Sequence, residues 1–248
     1  MRRAWFFVPP VGCLVLLLVL PVAALLERAV LGGLLPTVWG RPTVLMALRL
    51  TLWTSLAALA VIVALGTPVA YLLARRAFPG RALLESLIEL PLLLPPTVAG
   101  IGLLLAFGRQ GLLGPALASL GLALPFTPAA VVLAQVFVAA PFYVRAARAG
   151  FQAVDPELEL VARTLGVPDR DVFRRVTVPL ALPSLLAGAT TAWARAVGEF
   201  GATLMFAGSL PGSTQTMTVA IYTELERDLD SALAMAGLLV LVAGAVLV

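Results

Sequence analysis

Six apolar runs, each long enough for a helix to cross a bilayer, constrain this chain more than any other feature. They cover about residues 5–26, 44–73, 83–107, 129–145, 180–206 and 231–248. A helix crosses the hydrocarbon core in about 20 residues, with a range of roughly 17–25. Inside lipid every backbone N–H and C=O has to be satisfied by the protein itself, which favours helices. The runs therefore predict an all-α, polytopic membrane protein with about six transmembrane helices. Composition agrees: 12% of the 248 residues are charged, about half the share of a soluble domain. The first run is longer than the apolar region of a signal peptide and more spans follow it, so it reads as the first span. Cys13 follows Pro10-Val11-Gly12, a poor lipoprotein signal.

Absences exclude several chemistries. All 17 basic residues are arginine, and the chain holds no lysine and no histidine. A Walker A loop needs a lysine, and a His-Glu-x-x-His zinc site or a Ser-His-Asp triad needs histidine. One cysteine makes neither a disulfide framework nor a cysteine metal cluster. No catalytic residue, metal site or cofactor of the chain's own is expected. The net charge of +4 is not interleaved with aromatic residues, so no nucleic-acid partner is expected.

The longest polar stretch, Phe151 to Pro179, carries its own helix signals. Asp155 is placed to cap a helix beginning at Pro156, with Glu157 and Glu159 at its positive end. Gly166 is placed to stop it. Leu158, Val161, Ala162 and Leu165 fall on one face. Pro168 can start a second short helix, on which Val172, Phe173 and Val176 share a face. Two readings stay open on spacing alone: a docking element for a partner, or an interfacial hairpin lying on lipid.

Two places inside the spans are unusual. Pro95-Pro96 removes two backbone donors at membrane depth, and such a break persists where protein or a water-filled cavity satisfies the freed carbonyls. It is read either as a packing kink or as a pore-lining break. Arg195 and Glu199 stand one turn apart inside the fifth run, where each alone would cost about 3 kcal/mol to insert. Their spacing allows mutual pairing, and Gly198 and Gly201 flank the glutamate. The pair is read either as a structural bridge or as a pore-side pair. Glu85 and Glu89 are expected to reach solvent or Arg75, Arg76 and Arg81.

Arginine placement orients the spans. Arg2, Arg3, Arg75, Arg76, Arg81, Arg145, Arg148, Arg163, Arg170, Arg174 and Arg175 fall on one side if the runs alternate. That side, with the N-terminus and the 151–179 stretch, is expected to be cytoplasmic.

The polar stretch resembles the cytoplasmic loop of ABC importer permeases, whose pattern is Glu-Ala-Ala, three residues, Gly, nine residues, then Ile-x-Leu-Pro. Gly166, Val176, Val178 and Pro179 fit it. The triplet aligns with Leu160, Val161 and Ala162, and Glu159 stands one residue early. Residues 194–208, Ala-Arg-Ala-Val-Gly-Glu-Phe-Gly-Ala-Thr-Leu-Met-Phe-Ala-Gly, are similar to the fifth-span segment of molybdate importer permeases. Residues 91–100, 107–114, 141–151 and 220–222 resemble the same family in the same order. The likeness covers about residues 44–248, and Thr218 stands where the family pattern has proline.

That resemblance implies the type I ABC importer permease architecture: one transmembrane permease domain over residues 1–248, with a core of 44–248 and a coupling loop at about 151–179. It implies a homodimer in the prokaryotic inner membrane, surrounded by lipid, with two cytoplasmic ABC ATPase subunits holding ATP and Mg, and an extracytoplasmic oxyanion-binding protein. The coupling residues implied are Leu158, Glu159, Ala162, Leu165, Gly166, Phe173, Val176 and Pro179. The pore or gate candidates are Pro95, Pro96, Arg195, Gly198, Glu199, Phe200, Gly201 and Thr203. Molybdate is the expected anion, with sulfate, thiosulfate or tungstate as alternatives. An ion-coupled secondary transporter is the rival from another class, disfavoured because only Glu199 lies deep in a span and no repeated halves are evident.

Overall fold

The computed structural model of the protein describes residues 8–247, and all regular structure among them is helical. Arg2, Arg3, the start of the first run at Trp5, and Val248 lie outside the described residues. Two compact units emerge: residues up to Leu48 with those from Thr216, and residues Arg49–Gln215.

In the first unit α1 (Val8–Leu26) continues into a π-helical turn, Glu27–Leu31, and a short α2 (Leu35–Val38) follows. Two further helices, α12 (Met217–Leu225) and α13 (Leu229–Leu247), come from the other end of the chain. Val38, Met217, Ala234, Met235 and Leu238 form the core of this unit. Ala29 packs directly on Gly237, leaving no room for a Cβ at the glycine. Asp228 caps α13, accepting from the Asp230 N–H at 3.2 Å, and Arg41 donates to the Ser231 hydroxyl at 3.0 Å. The Ser231 hydroxyl, donating to Asp228, holds that carboxyl below the usual range.

The long α3 (Pro42–Arg75) leads into the second unit. There α4 (Arg81–Leu93), α5 (Pro96–Phe107), α6 (Gly114–Ser119), α7 (Pro128–Ala153), α8 (Pro156–Thr164), α9 (Asp169–Val172), α10 (Val178–Val197) and α11 (Gly201–Ala207) follow. A second π-helical turn, Phe173–Thr177, joins α9 to α10. The backbone of the unit is the α7–α10 pair, which approaches closely because its contacts are small: Gly188 lies on Ala146 and Gly150 on Ser184. Small residues let membrane helices pack by van der Waals contact when lipid offers no hydrophobic drive between them. Several hydroxyls of α3 are satisfied within the helix or by α7 and α10. Thr67 bonds the Val63 carbonyl and the Tyr143 hydroxyl, and the Trp193 indole donates to Ser55.

Among the described residues, four helical stretches are long and apolar enough to cross a membrane: Pro9–Leu31, Pro42–Arg75, Pro128–Ala153 and Asp169–Val197. The two remaining runs are helical but differ from simple crossings. The third is α4 and α5, bent by 118° at a short break. The helical region is disfavoured for a residue before a proline, and Leu94 (ψ 131°) and Pro95 (ψ 138°), each followed by a proline, are both extended. The last run is a separate helix, α13, that begins at Leu229 after the break following α12.

Three boundaries are also corrected. The helix that carries the fifth run starts at Asp169 and stops at Val197, where Gly198 follows, so residues 201–207 form their own helix. The fourth helix runs on to Ala153, eight residues past Arg145. The second short helix after Pro168 is continuous with the fifth span. The polar stretch therefore narrows to a single free-standing helix, α8, between two turns.

Candidate functional site

Two constellations stand out, and both are built where helices end. The first surrounds α8. Asp155 accepts from the Glu157 N–H at 2.9 Å, capping the helix start. Its end is a Schellman motif: Gly166, at φ +81°, donates to the Arg163 carbonyl, and Val167 donates to the Ala162 carbonyl. A left-handed residue here is natural for glycine and costly for others.

The two sides of α8 differ. Leu158, Leu160, Val161 and Leu165 are exposed, Leu165 by 78%, and Ala162 is half-buried. Glu159 points the other way and is only 4% exposed. Its Oε1 accepts from Arg75 Nη2 at 2.8 Å and from the Thr177 hydroxyl at 3.0 Å. Its Oε2 faces Arg163 at 3.4 Å. The same Arg75 nitrogen donates to the Val154 carbonyl, at the end of α7, at 2.9 Å. One buried carboxylate thus collects donors from α3, α8 and the turn before α10. Breaking a buried pair by removing one partner costs about 3–5 kcal/mol, because the other charge is left buried alone.

One turn back along α3, Tyr71 sits edge-on to Phe173 at 4.8 Å and to Phe151 at 5.4 Å. Such pairs add about 0.5–1.5 kcal/mol beyond their burial. Phe173 therefore turns inward to this cluster, away from the exposed face of α8. Val176 is half-buried, and Pro179 is exposed in the first turn of α10. Beside the junction opens a cleft of about 830 Å³, lined by Arg76, Pro156, Arg163, Asp169 and Arg170 among others. The Arg163 guanidinium is raised above its usual range, chiefly by its hydrogen bond to Asp169.

The second constellation is the meeting of two helix breaks. At the end of α10, Glu199 is 1% exposed. Its Oε1 accepts from the Ala202 N–H at 2.8 Å, capping α11, and its Oε2 pairs with Arg195 Nη2 at 2.6 Å. The Arg195 side chain keeps 27% of its surface open. Opposite lies the double-proline break: a Cβ on Gly201 would stand 2.9 Å from Pro96 Cβ, and one on Gly100 would stand 2.8 Å from the Ala202 carbonyl oxygen. Pro95, Pro96 and Gly198 are exposed, and Phe200 is half-buried. Thr203 is fully buried, and its hydroxyl has no partner among the described residues. From α7, Gln135 donates to the Ala196 carbonyl at 3.2 Å, securing the last turn of α10. A guanidinium does not lose its proton in a protein, so this break carries an ion pair, Arg195 with Glu199, whose cationic side is partly open.

Arg75, Thr177, Tyr71 and Gln135 were not singled out by sequence for these roles. Arg75 and Glu159 are 84 residues apart, and no local pattern links them. Glu85 meets Arg81 and also Arg148, and Glu89 meets Arg145, so α4 is tied to α7. Among the described residues no cluster of His, Cys, Asp or Glu could hold a metal ion.

Comparison with known proteins shows the family of the chain. Residues 66–248 match the model of the family described as binding-protein-dependent transport system inner membrane component. The molybdenum transport system permease protein ModB of Mycobacterium tuberculosis is 42% identical over 247 residues, covering 98% of this chain and 91% of that protein. A probable sulfate transport system permease protein of Chlorokybus atmophyticus is 34% identical, covering 92% of this chain and 80% of that one. The crystal structure of a bacterial ABC transporter involved in import of the acidic polysaccharide alginate matches with a TM-score of 0.72 over 99% of this chain and 96% of that one; at 15% identity it shows the shared fold. This chain belongs to the family of binding-protein-dependent transport system inner membrane components.

Proposed function

We propose that this chain is the membrane-spanning subunit of an ATP-driven oxyanion importer, and that molybdate is the anion carried. Two copies line a pore between them. Each seats one cytoplasmic ATP-hydrolysing subunit, which holds ATP and Mg, and an external oxyanion-binding protein delivers the cargo. The N-terminus and α8 lie on the cytoplasmic side, where arginine is concentrated. The choice of molybdate rests on the ModB relative at 42% identity; sulfate is the second reading, supported by the 34% identical relative.

The observation that carries the reading is the two-sidedness of α8. Its inner side is fixed by Glu159, and its outer side presents Leu158, Leu160, Val161 and Leu165. Fully covering one such side chain yields roughly 1.5–3 kcal/mol, so a groove that receives this helix gains a firm hold. Closure of the two ATPases on ATP then moves both α8 helices together and biases the pore between two states. At the other site Arg195, held by Glu199 at the α10–α11 break, offers the passing anion a cation with the small neighbours Gly198 and Gly201.

The test is uptake into proteoliposomes containing this chain, its ATPase and its binding protein. Molybdate should accumulate only with ATP on the ATPase side, and accumulation should survive ionophores that collapse proton and sodium gradients. Uptake driven by an ion gradient without ATP would overturn the reading. Competition with sulfate in the same vesicles separates the two anions.

A further inference from the structure

We propose that the buried Glu159–Arg75–Thr177 junction is the internal latch that makes α8 move as one body with the spans. The proposal rests on the reading of α8 as the ATPase-gripped element, and adds how its motion enters the membrane.

Without this junction α8 would be loosely attached. It is joined to α7 through the extended Val154 and Asp155, and to α9 through Gly166 and the residues before Asp169. Both connections are turns, and the glycine one is of the kind that bends easily. A push on a helix held only by its turns and by the exposed Arg163–Asp169 pair with α9 would be absorbed there, since an exposed pair holds only weakly. The latch removes that freedom. Arg75 ends α3 and Thr177 precedes α10, and both donate to the one carboxylate on α8; the same Arg75 also donates to the carbonyl of Val154, at the end of α7. The aromatic cluster of Tyr71, Phe151 and Phe173 locks the same three elements one turn deeper. Arg75 and Tyr71 are four residues apart, so they project from the same side of α3.

The position of the acid decides this role. Residue 159 is 4% exposed, whereas its neighbour Leu160 is 58% exposed. On an α-helix adjacent residues point about 100° apart. A carboxylate at 160 would face outward; at 159 it faces the ends of the spans. Glu159 is therefore a positioning residue, acting through Arg75 and Thr177 rather than through the partner.

The experiment uses the full assembly in proteoliposomes and reads anions transported per ATP hydrolysed. Glu159→Gln and Arg75→Gln should each lower that ratio about five-fold or more, the scale of an ordinary coupling energy. ATPase co-purification should stay within about two-fold of the unaltered assembly, since the exposed face of α8 is untouched. Arg75→Lys, which keeps the charge, should recover most of the ratio. A ratio unchanged in both glutamine variants overturns the latch. Should those variants fail to assemble, amide exchange in the unaltered chain without its ATPase, where no partner covers α8, decides. The amides of residues 160–164 should exchange as slowly as the last turn of α7, and exchange at the rate of a fraying helix overturns the latch. Failure of the unaltered assembly to show ATP-driven uptake would instead count against the proposed function, and the exchange result would stand apart from it.

Discussion

At the scale of single residues, position on a helix decides more than identity. Gly100 and Gly102 are two residues apart on α5 and look alike in sequence. A Cβ on Gly100 would stand 2.7–2.9 Å from Met205 Cβ and from the oxygen and Cα of Ala202, while one on Gly102 would meet nothing within 4 Å. Two of those neighbours are backbone, which cannot rotate away. Gly100→Ala should therefore destabilise the protein by about 1–3 kcal/mol, seen as a lower midpoint in thermal unfolding in detergent. Gly102→Ala should leave the midpoint unchanged or raise it slightly, since alanine suits a helix better. Equal midpoints would show that α5 and α11 do not approach as described. Sequence pointed to Arg195 and Glu199 as a pair because four residues make one turn, and the 2.6 Å contact agrees. It did not disclose the second bond of Glu199, to the Ala202 N–H, since the helix break that frees that donor depends on the packing of Gly201 against Pro96.

At the scale of elements, α8 was the most legible part of the chain. Its cap, Asp155, and its stop, Gly166, are local chemistry: a carboxylate beside free N–H groups, and a residue that accepts positive φ. Its apolar residues were legible too, but not which way they face. Leu165→Asp tests the outward direction. At 78% exposure the aspartate is well hydrated, so unfolding should be unaffected, while co-purification with the ATPase should fall about ten-fold or more as an apolar contact is replaced by an unpaired charge. Retained co-purification would place the contact surface elsewhere. The double proline was legible as a break, because two adjacent prolines remove two backbone donors and each disfavours helix at the residue before it. The size of the bend, 118°, was not, because it is set by what α4 and α5 each pack against. Two ion pairs tie α4 to α7, through Arg145 and Arg148, while α5 rests on α11.

At the scale of the whole molecule, charge asymmetry gives a prediction that contacts within the fold do not enter. With Cys13 replaced by serine, a single cysteine at Arg170 should react with a membrane-impermeant thiol reagent only from the cytoplasmic side. One at the exposed Leu112, in the turn between α5 and α6, should react only from outside. The reverse pattern would invert the topology. By itself the sequence determined the class of fold, since long apolar runs with few charges leave helices across a bilayer as the outcome. It also determined the start and stop of α8, which depend on neighbours within a few residues. Only the tertiary structure decided that Glu159 reaches Arg75, that the breaks at Pro95-Pro96 and Gly198 meet, and that the helix begun at Asp169 runs on into the fifth run. Contacts between residues far apart in the chain exist only after distant helices pack, and no pattern along one of them encodes its partner.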